Sequence, residues 1–195
     1  QAFNRLDAVV NNAGVIGPIA PIAAGDPQGW QENWAINVLG PFMITQVALP
    51  HLRQTNGRVI NVSSGAAVSV TPGWAAYCTA KAALNHFTRI LAKEEPAITA
   101  IALRPGVVDT TMQDTIRREG VEGMPEEVHS RFVGYHEKGE LLPPEMPGCA
   151  VAVLALFAPQ SWTGSFIAWN SEEVQSLVRQ FACSAGTQNR GQTNA

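Results

Sequence analysis

The hydrophobic positions of the chain form four short apolar runs separated by longer stretches with helical spacing. The runs have the length and β-branched content of strands, and they cover residues 6–10, 58–62, 98–103 and 165–169. The first three are almost continuously apolar instead of alternating with polar residues, which indicates burial on both faces of a parallel sheet.

Helical spacing of apolar residues predicts helices between and after these runs. The predicted helices are 28–53, 75–95, 144–156 and 172–181. The second is rich in alanine and stops before Pro96, because the residue preceding a proline disfavours helical backbone angles. Strands that alternate with helices predict an α/β fold with a parallel sheet and right-handed crossovers.

Two segments depart from this alternation. Residues 110–145 are polar and contain glycines, and we interpret them as a long connection that serves as an active-site lid. Residues 183–195 are nearly all small and polar, which predicts a disordered tail. Residues 1–182 are therefore expected to form part of a single domain.

Composition narrows the class of protein. Of the 195 residues, 46% are hydrophobic and only 15% are charged, which excludes a disordered chain or a fibre. A net charge of −3 gives no field that would attract nucleic acid or an acidic membrane, and no apolar run approaches the roughly 20 residues that span a bilayer. Three widely spaced cysteines favour a reducing, cytoplasmic compartment, and the four histidines lack metal-ligand spacing.

Tyr77 and Lys81 lie four residues apart on the predicted helix 75–95, so their side chains share one face. A phenol titrates near pH ~10, and an ammonium group held close to it favours the phenolate and lowers its pKa. Such a pair can give a proton to a developing alkoxide or take one from an alcohol. The two residues are therefore candidate catalytic groups, although an ordinary amphipathic pair has the same spacing.

Other small or polar residues lie where the predicted strands end. Ser64 follows the second strand, at the carboxyl end where open α/β sheets bind ligands, and its hydroxyl can hydrogen-bond a substrate carbonyl. The small residues of segment 11–14 permit close approach of a flat ligand, and residues 103–110 end the third strand in the same way. Asn37 lies inside the first long helix, where it is either exposed or bonded to nearby backbone.

Together these elements resemble the classical short-chain dehydrogenase/reductase family. The shared features are Asn-Asn-Ala-Gly at 11–14, Asn37, Ser64, the Tyr-x-x-x-Lys pair at 77 and 81, and the Pro105-Gly106 turn that leads to Thr110. Their order and spacing match that family over roughly residues 6–170. The end of this region, 165–170, is similar to a microbial subgroup of sepiapterin- and benzil-reductase-like enzymes. The resemblance implies a Rossmann-type doubly wound parallel sheet.

The resemblance also implies an oxidoreductase that transfers hydride between a nicotinamide cofactor and a carbonyl or alcohol, with NADP(H) favoured and NAD(H) possible. Tyr77 would donate or accept the proton, and Lys81 would lower its pKa and hold the nicotinamide ribose. Ser64 would orient the substrate carbonyl, and Asn37 would anchor a water of a proton relay. The cofactor-binding residues it implies are Asn12, Ala13, Gly14, Tyr77, Lys81, Pro105, Gly106, Val108 and Thr110.

Partners follow from the same resemblance. Residues 110–145 would form the variable substrate loop, whose apolar residues favour a small, fairly apolar carbonyl or alcohol substrate. The two long helices would pair between subunits in a homodimer or homotetramer. Neither nucleic acid nor a membrane is expected as a partner.

One departure from the family is large, because no glycine-rich turn of the kind that cradles a pyrophosphate occurs in the 195 residues. The family pattern places two βα units, with that turn, before residue 1. We therefore expect the strand 6–10 to be an edge of the sheet, and the chain by itself to aggregate or to pair that edge. We also expect it to bind NADPH or NADH far more weakly than a full-length relative.

Two functions remain open from the residues alone, besides that of the catalytic part of a carbonyl reductase. One is a non-catalytic remnant whose helices serve as an association surface. The other is a lyase or epimerase that uses the same Tyr–Lys pair on nucleotide sugars, against which stands the short C-terminal part. A measurement of cofactor binding distinguishes the reductase from the remnant. Detection of net oxidation or reduction distinguishes the reductase from the lyase or epimerase.

Overall fold

The computed structural model describes residues 4–188, with side chains up to residue 181, and is built on a parallel sheet in the order β1-β2-β3-β4. The strands are β1 (Ala8–Asn11), β2 (Arg58–Val62), β3 (Thr99–Arg104) and β4 (Phe166–Ala168). Each begins and ends within two residues of the apolar run that predicted it. Among residues 4–188, β1 pairs only with β2, so its other edge carries no strand. The predicted α/β fold with a parallel sheet is confirmed.

Seven α-helices flank this sheet in the described part of the chain. They are α1 (Pro27–Trp34), α2 (Gly40–Thr55), α3 (Ala75–Glu94), α4 (Thr111–Gly123), α5 (Glu126–Glu137), α6 (Glu145–Phe157) and α7 (Glu172–Gln188). A π-helical segment, Ala35–Leu39, joins α1 to α2 without a break. Helix α7 continues to Gln188, into the segment predicted to be a disordered tail, and residues 189–195 lie outside the described residues.

The sheet is covered on both faces, which explains its nearly continuous apolar runs. Successive side chains of a strand point to opposite faces. Val59 of β2 belongs to a core with Leu52 of α2 and Leu91 of α3. The next residue, Ile60, belongs to a second core with Leu154 of α6. All five side chains are at least 96% buried, so both faces exclude water.

Residues 110–145, predicted as an irregular connection, contain the helix pair α4 and α5. Glycines and many charges obscured the helical pattern, but Ile116 and Phe132 are buried beneath the pair. The ends of the segment are tied together, because Asp109 N donates to Leu142 O at 2.9 Å and Leu142 N donates to Val107 O at 2.9 Å. The segment predicted as a lid is therefore a pair of helices whose two ends are joined by backbone hydrogen bonds.

The continuous helix Pro27–Thr55 is 29 residues long, and its most apolar 18-residue window has a mean hydropathy of 1.3. By length and composition alone it is able to cross a membrane, whereas the sequence showed no apolar run of about 20 residues. The difference arises because polar residues interrupt the apolar positions along this segment, although the helix itself is unbroken. Three of them, Asn33, Asn37 and Thr45, are at least 99% buried inside the fold.

Candidate active site

A cleft of about 1120 Å³ opens beyond the carboxyl ends of β1, β2 and β3. It brings together all of the predicted site residues except Asn37, which lies behind it. The predicted site residues that line it are Asn12, Ala13, Gly14, Ser64, Tyr77, Lys81, Pro105, Gly106, Val108 and Thr110. Each comes from a loop after a strand or from the start of α3, because parallel strands deliver their following loops to one edge of the sheet.

Ser64 lies two residues beyond the end of β2, where the backbone is still extended. It caps a short 3-10 turn, Gly65–Ala67, and its Oγ accepts a hydrogen bond from Ala66 N at 3.1 Å. Its hydroxyl also hydrogen-bonds the phenol of Tyr77. The two hydroxyl groups are thus held side by side at the floor of the cleft.

Tyr77 is 6% exposed and packs edge-on against Trp74, with ring centroids 5.9 Å apart. Burial raises the pKa of the phenol above its ordinary value, and the hydrogen bond from Ser64 opposes that rise. The resemblance implied that Lys81 lowers this pKa. Burial is the largest influence on this pKa and Ser64 opposes it, so the effect of Lys81 on the phenol stays a prediction. The phenol therefore holds its proton at neutral pH.

Lys81 is 3% exposed and has no carboxylate partner among residues 4–188. Its Nζ donates a hydrogen bond to Val62 O at 2.9 Å and lies 5.6 Å from the centroid of the Tyr77 ring. Burial lowers the pKa of this ammonium group to about 8, because the charged form is poorly solvated. Lys81 is thus a cation that is anchored to the end of β2 and titrates close to physiological pH.

This titration predicts a pH-dependent stability that Lys81→Met removes. The unfolded chain binds the proton up to about pH 10.5 and the folded chain only up to about pH 8, so unfolding takes up a proton in between. The free energy of unfolding of the wild type should therefore rise, relative to the variant, by up to about 1.4 kcal/mol per pH unit in that window. Urea unfolding at several pH values measures both proteins. Parallel curves for the two would contradict the lowered pKa.

Asn37 is fully buried in the π-helical segment and holds the loop after β1. Its Nδ2 donates to Val15 O at 2.8 Å and to Asn33 Oδ1 at 3.0 Å, and its Oδ1 accepts from Val15 N at 3.3 Å. Both amide hydrogens are therefore used inside the protein. In this structure Asn37 positions the loop, and its predicted role in a water relay stays a prediction.

Asn33 completes this loop anchor, and the sequence reasoning missed it. Its side chain is fully buried and donates to Val15 O at 3.2 Å and to Gly17 O at 2.6 Å. The signal that could have found it is its spacing, since Asn33 and Asn37 are four residues apart and share a helix face.

Gly14 shows how closely the site is packed around this loop. A Cβ atom at this position would lie 2.9 Å from Asn37 Oδ1 and 3.3 Å from Lys81 Nζ. Glycine is needed at this position because Asn37 and Lys81 occupy the space of a side chain. This small-residue surface fits the flat nicotinamide group that the family pattern implies.

The turn after β3 forms the opposite wall of the cleft. Gly106 has a φ of +86°, and a Cβ there would lie 2.5 Å from Leu142 Cδ1, so only glycine fits. Thr110 follows as an exposed residue whose hydroxyl makes one long contact, 3.5 Å to Val108 O. Its hydroxyl is accessible to a ligand in the cleft.

An aromatic wall closes the cleft beneath α4 and α5, and we call Trp74, Phe132 and Tyr135 the aromatic wall from here on. Trp74 and Phe132 have ring centroids 4.8 Å apart, and Phe132 and Tyr135 stack edge-on at 5.9 Å. The sequence reasoning missed this wall because it treated α5 as a loop. Trp74 could have been found from its place directly before the predicted helix, three residues ahead of Tyr77.

Comparisons with known proteins agree with this geometry. Residues 1–120 match the family model described as short chain dehydrogenase. An uncharacterized oxidoreductase of Schizosaccharomyces pombe is 44% identical over 172 residues, which cover 88% of the chain and 70% of that protein. A benzil reductase ((S)-benzoin forming) of Saccharomyces cerevisiae is 35% identical over 184 residues, which cover 89% of the chain and 70% of that protein.

A solved structure is similar over almost the same region. It is a short chain dehydrogenase/reductase from Saccharomyces cerevisiae, with a TM-score of 0.88 and 36% sequence identity. The match covers 90% of the chain and 70% of the yeast protein. The chain thus spans about 70% of the length of these relatives.

Proposed function

The chain belongs to the short-chain dehydrogenase/reductase family, as an oxidoreductase of the benzil- and sepiapterin-reductase-like type, and we propose that it reduces carbonyl compounds at the expense of NAD(P)H. The observation that carries the proposal is the meeting of Tyr77, Ser64 and Lys81 in one cleft, with a buried phenol that keeps its proton. A protonated, desolvated phenol is suited to act as a general acid, which favours the reductive direction.

The proposed mechanism assigns one task to each group. The nicotinamide, when bound, supplies hydride to the carbonyl carbon. Ser64 and Tyr77 donate hydrogen bonds to the carbonyl oxygen, and Tyr77 transfers its proton to that oxygen as negative charge develops on it. The ammonium of Lys81, 5.6 Å from the phenol ring centroid, stabilises the negative charge left on Tyr77.

We propose that the cofactor binds between two walls of the cleft, the loop after β1 and the turn after β3, where small residues expose the backbone. Gly14 and its neighbours offer a surface without side chains, and Lys81 offers a donor for ribose hydroxyls. Thr110 and the backbone of Val108 line the cleft, and we assign the binding of the carboxamide to them. NADP(H) remains the favoured cofactor, with NAD(H) possible.

The direct test is the reduction of benzil, the compound after which the benzil reductase of Saccharomyces cerevisiae is named. The chain is incubated with benzil and either NADPH or NADH, and benzoin is measured by chiral chromatography. We expect benzoin with NADPH in excess of that with NADH. No oxidation of either cofactor, together with conversion of a nucleotide sugar without net redox change, would favour the lyase or epimerase alternative.

Calorimetric titration with both cofactors separates an enzyme from a non-catalytic association module. We expect binding by the 195-residue chain that is much weaker than by a full-length relative, because no glycine-rich turn is present to bind the pyrophosphate. Micromolar affinity would contradict that expectation. No detectable binding at any cofactor concentration would favour the association module.

Self-association is proposed through the exposed apolar side of the long helix. We call this side the helix surface; its exposed residues are Trp34, Ile36, Leu39, Phe42, Met43, Ile44 and Val47. An exposed patch of this kind marks an interaction site. The occupant we propose is a second copy of the chain, because members of the family pair through this helix and α3.

Val47→Asp should weaken this association, because Val47 is 75% exposed and a carboxylate there would be desolvated between two copies. We expect the dissociation constant of the dimer to rise at least about tenfold. Sedimentation velocity measures the change. Val121→Asp is the matched control, since Val121 is 64% exposed on α4, away from the helix surface. Equal sedimentation of both variants and the wild type would contradict the proposal.

A further inference from the structure

The charged side chains that line the cleft are all positive. Lys81, Arg104 and Arg131 line it, and no aspartate or glutamate among residues 4–188 does. The chain as a whole carries a net charge of −3, so this distribution is opposite to its overall balance. A cleft with charge of one sign attracts ligands of the other sign.

Arg131 is one of four described arginines that make no ion pair, with Arg58, Arg89 and Arg104. Arg53, Arg117 and Arg179 each pair with a carboxylate outside the cleft. Arg131 makes no ion pair within the described residues, although Glu127 precedes it by one helical turn on α5. Its guanidinium group instead lies over the Phe132 ring, with Cζ 5.2 Å from the ring centroid.

The aromatic wall connects this guanidinium group to the acid–base hydroxyl. Phe132 contacts Trp74 at a centroid distance of 4.8 Å, and Trp74 contacts Tyr77 at 5.9 Å. Arg131 and the Tyr77 phenol are therefore separated by an apolar surface of aromatic rings. A ligand that reaches both must have a flat apolar part between two polar ends.

We propose that the substrate is an aromatic carbonyl compound that carries a carboxylate on the far side of its ring, and that Arg131 binds this carboxylate. The ring lies against Trp74 and Phe132, and the reacting carbonyl meets Ser64 and Tyr77. A guanidinium group pairs with a carboxylate through two parallel hydrogen bonds, which gives geometric selectivity. This assignment rests on the proposed carbonyl reductase function and specifies its substrate class.

The test compares two probes that carry the same ketone, 4-acetylbenzoate and its methyl ester. Each is measured as a substrate and as a competitive inhibitor of benzil reduction, with wild-type protein and with Arg131→Gln. We expect the wild type to prefer the acid over the ester by at least about tenfold in kcat/KM or inhibition constant. Arg131→Gln should abolish that preference, and Arg131→Lys should keep part of it. Arg118→Gln, which removes an arginine on α4 that pairs with Glu119, should leave it unchanged.

The outcomes separate this inference from the proposed function. Failure to reduce benzil with either cofactor would overturn the proposed function. Normal benzil reduction without preference for the acid, or with a preference that survives Arg131→Gln, would overturn the inference alone. A rise in KM for NADPH in Arg131→Gln, with the acid preference retained, would also overturn it, because Arg131 would then serve the phosphates of the cofactor.

Discussion

Replacing Tyr77 by phenylalanine should lower the turnover number at least about 100-fold, the usual contribution of general acid–base catalysis. The ring of Tyr77 packs on Trp74 and is 6% exposed, so phenylalanine preserves the packing and removes only the hydroxyl group. The proton for the alkoxide is then missing. Steady-state kinetics of benzil reduction measures the loss, and calorimetry should show nearly unchanged cofactor affinity.

Tyr135→Phe is the matched control for this experiment. Tyr135 lines the same cleft and stacks on Phe132, and it lies in α5 away from Ser64 and Lys81 in the chain. Its loss should change the turnover number severalfold at most. Near-normal turnover in Tyr77→Phe, or an equal loss in both variants, would end the assignment of Tyr77 as the acid.

Lys81→Met should lower kcat/KM by about 10- to 100-fold, the range expected for the loss of hydrogen bonds from a charged donor. The substitution keeps an unbranched apolar side chain and removes the ammonium group that faces both Tyr77 and the proposed ribose site. Cofactor affinity and turnover should fall together. Separate measurement of Kd by calorimetry and of turnover at saturating cofactor tests both parts.

The pH dependence of activity adds a second measurement, and a loss of packing alone would not change it. Because the pKa of Lys81 is about 8, activity that depends on its charge should decline above that pH in the wild type. That decline should be absent in Lys81→Met and present in Lys93→Met, which removes an exposed lysine from the last turn of α3. An identical decline in all three proteins would leave Lys81 without a titrating role.

The strands and α3 could be predicted from the sequence because burial on two faces leaves a plain signal. Val59 and Ile60 face opposite cores, so both positions are apolar and the strand stands out. Helix α3 ends at Glu94, close to the predicted end, because Pro96 stops it. The pair α4 and α5 was missed because only one face of each helix is buried, and Gly120 and Gly123 interrupt the helical pattern.

Parts of the candidate site were predictable from the sequence. Ser64 was predicted from its position after a strand, and Tyr77 from its residue type and its spacing to Lys81. The site was not predictable where burial decides the outcome. The direction of the Tyr77 pKa depends on desolvation, and spacing along a helix carries no information about that. Asn33 could have been found from its spacing to Asn37, but Arg131 became visible only when helix α5 was placed in space.

The π-helical segment Ala35–Leu39 fixes the rotation between two parts of the long helix that have separate tasks. Asn33 faces the loop after β1, and Val47, beyond the segment, faces away from the fold. A regular helix turns by about 100° per residue, and a π turn accommodates one residue more than an α turn. Deleting one residue of this turn would therefore restore an α turn and leave Asn33 and the helix surface on their present sides. Inserting one residue into α2 before Phe42 would instead rotate the following part of the helix surface by about 100° relative to Asn33. Such an insertion would move the proposed contact between subunits without moving the residues that hold the loop after β1.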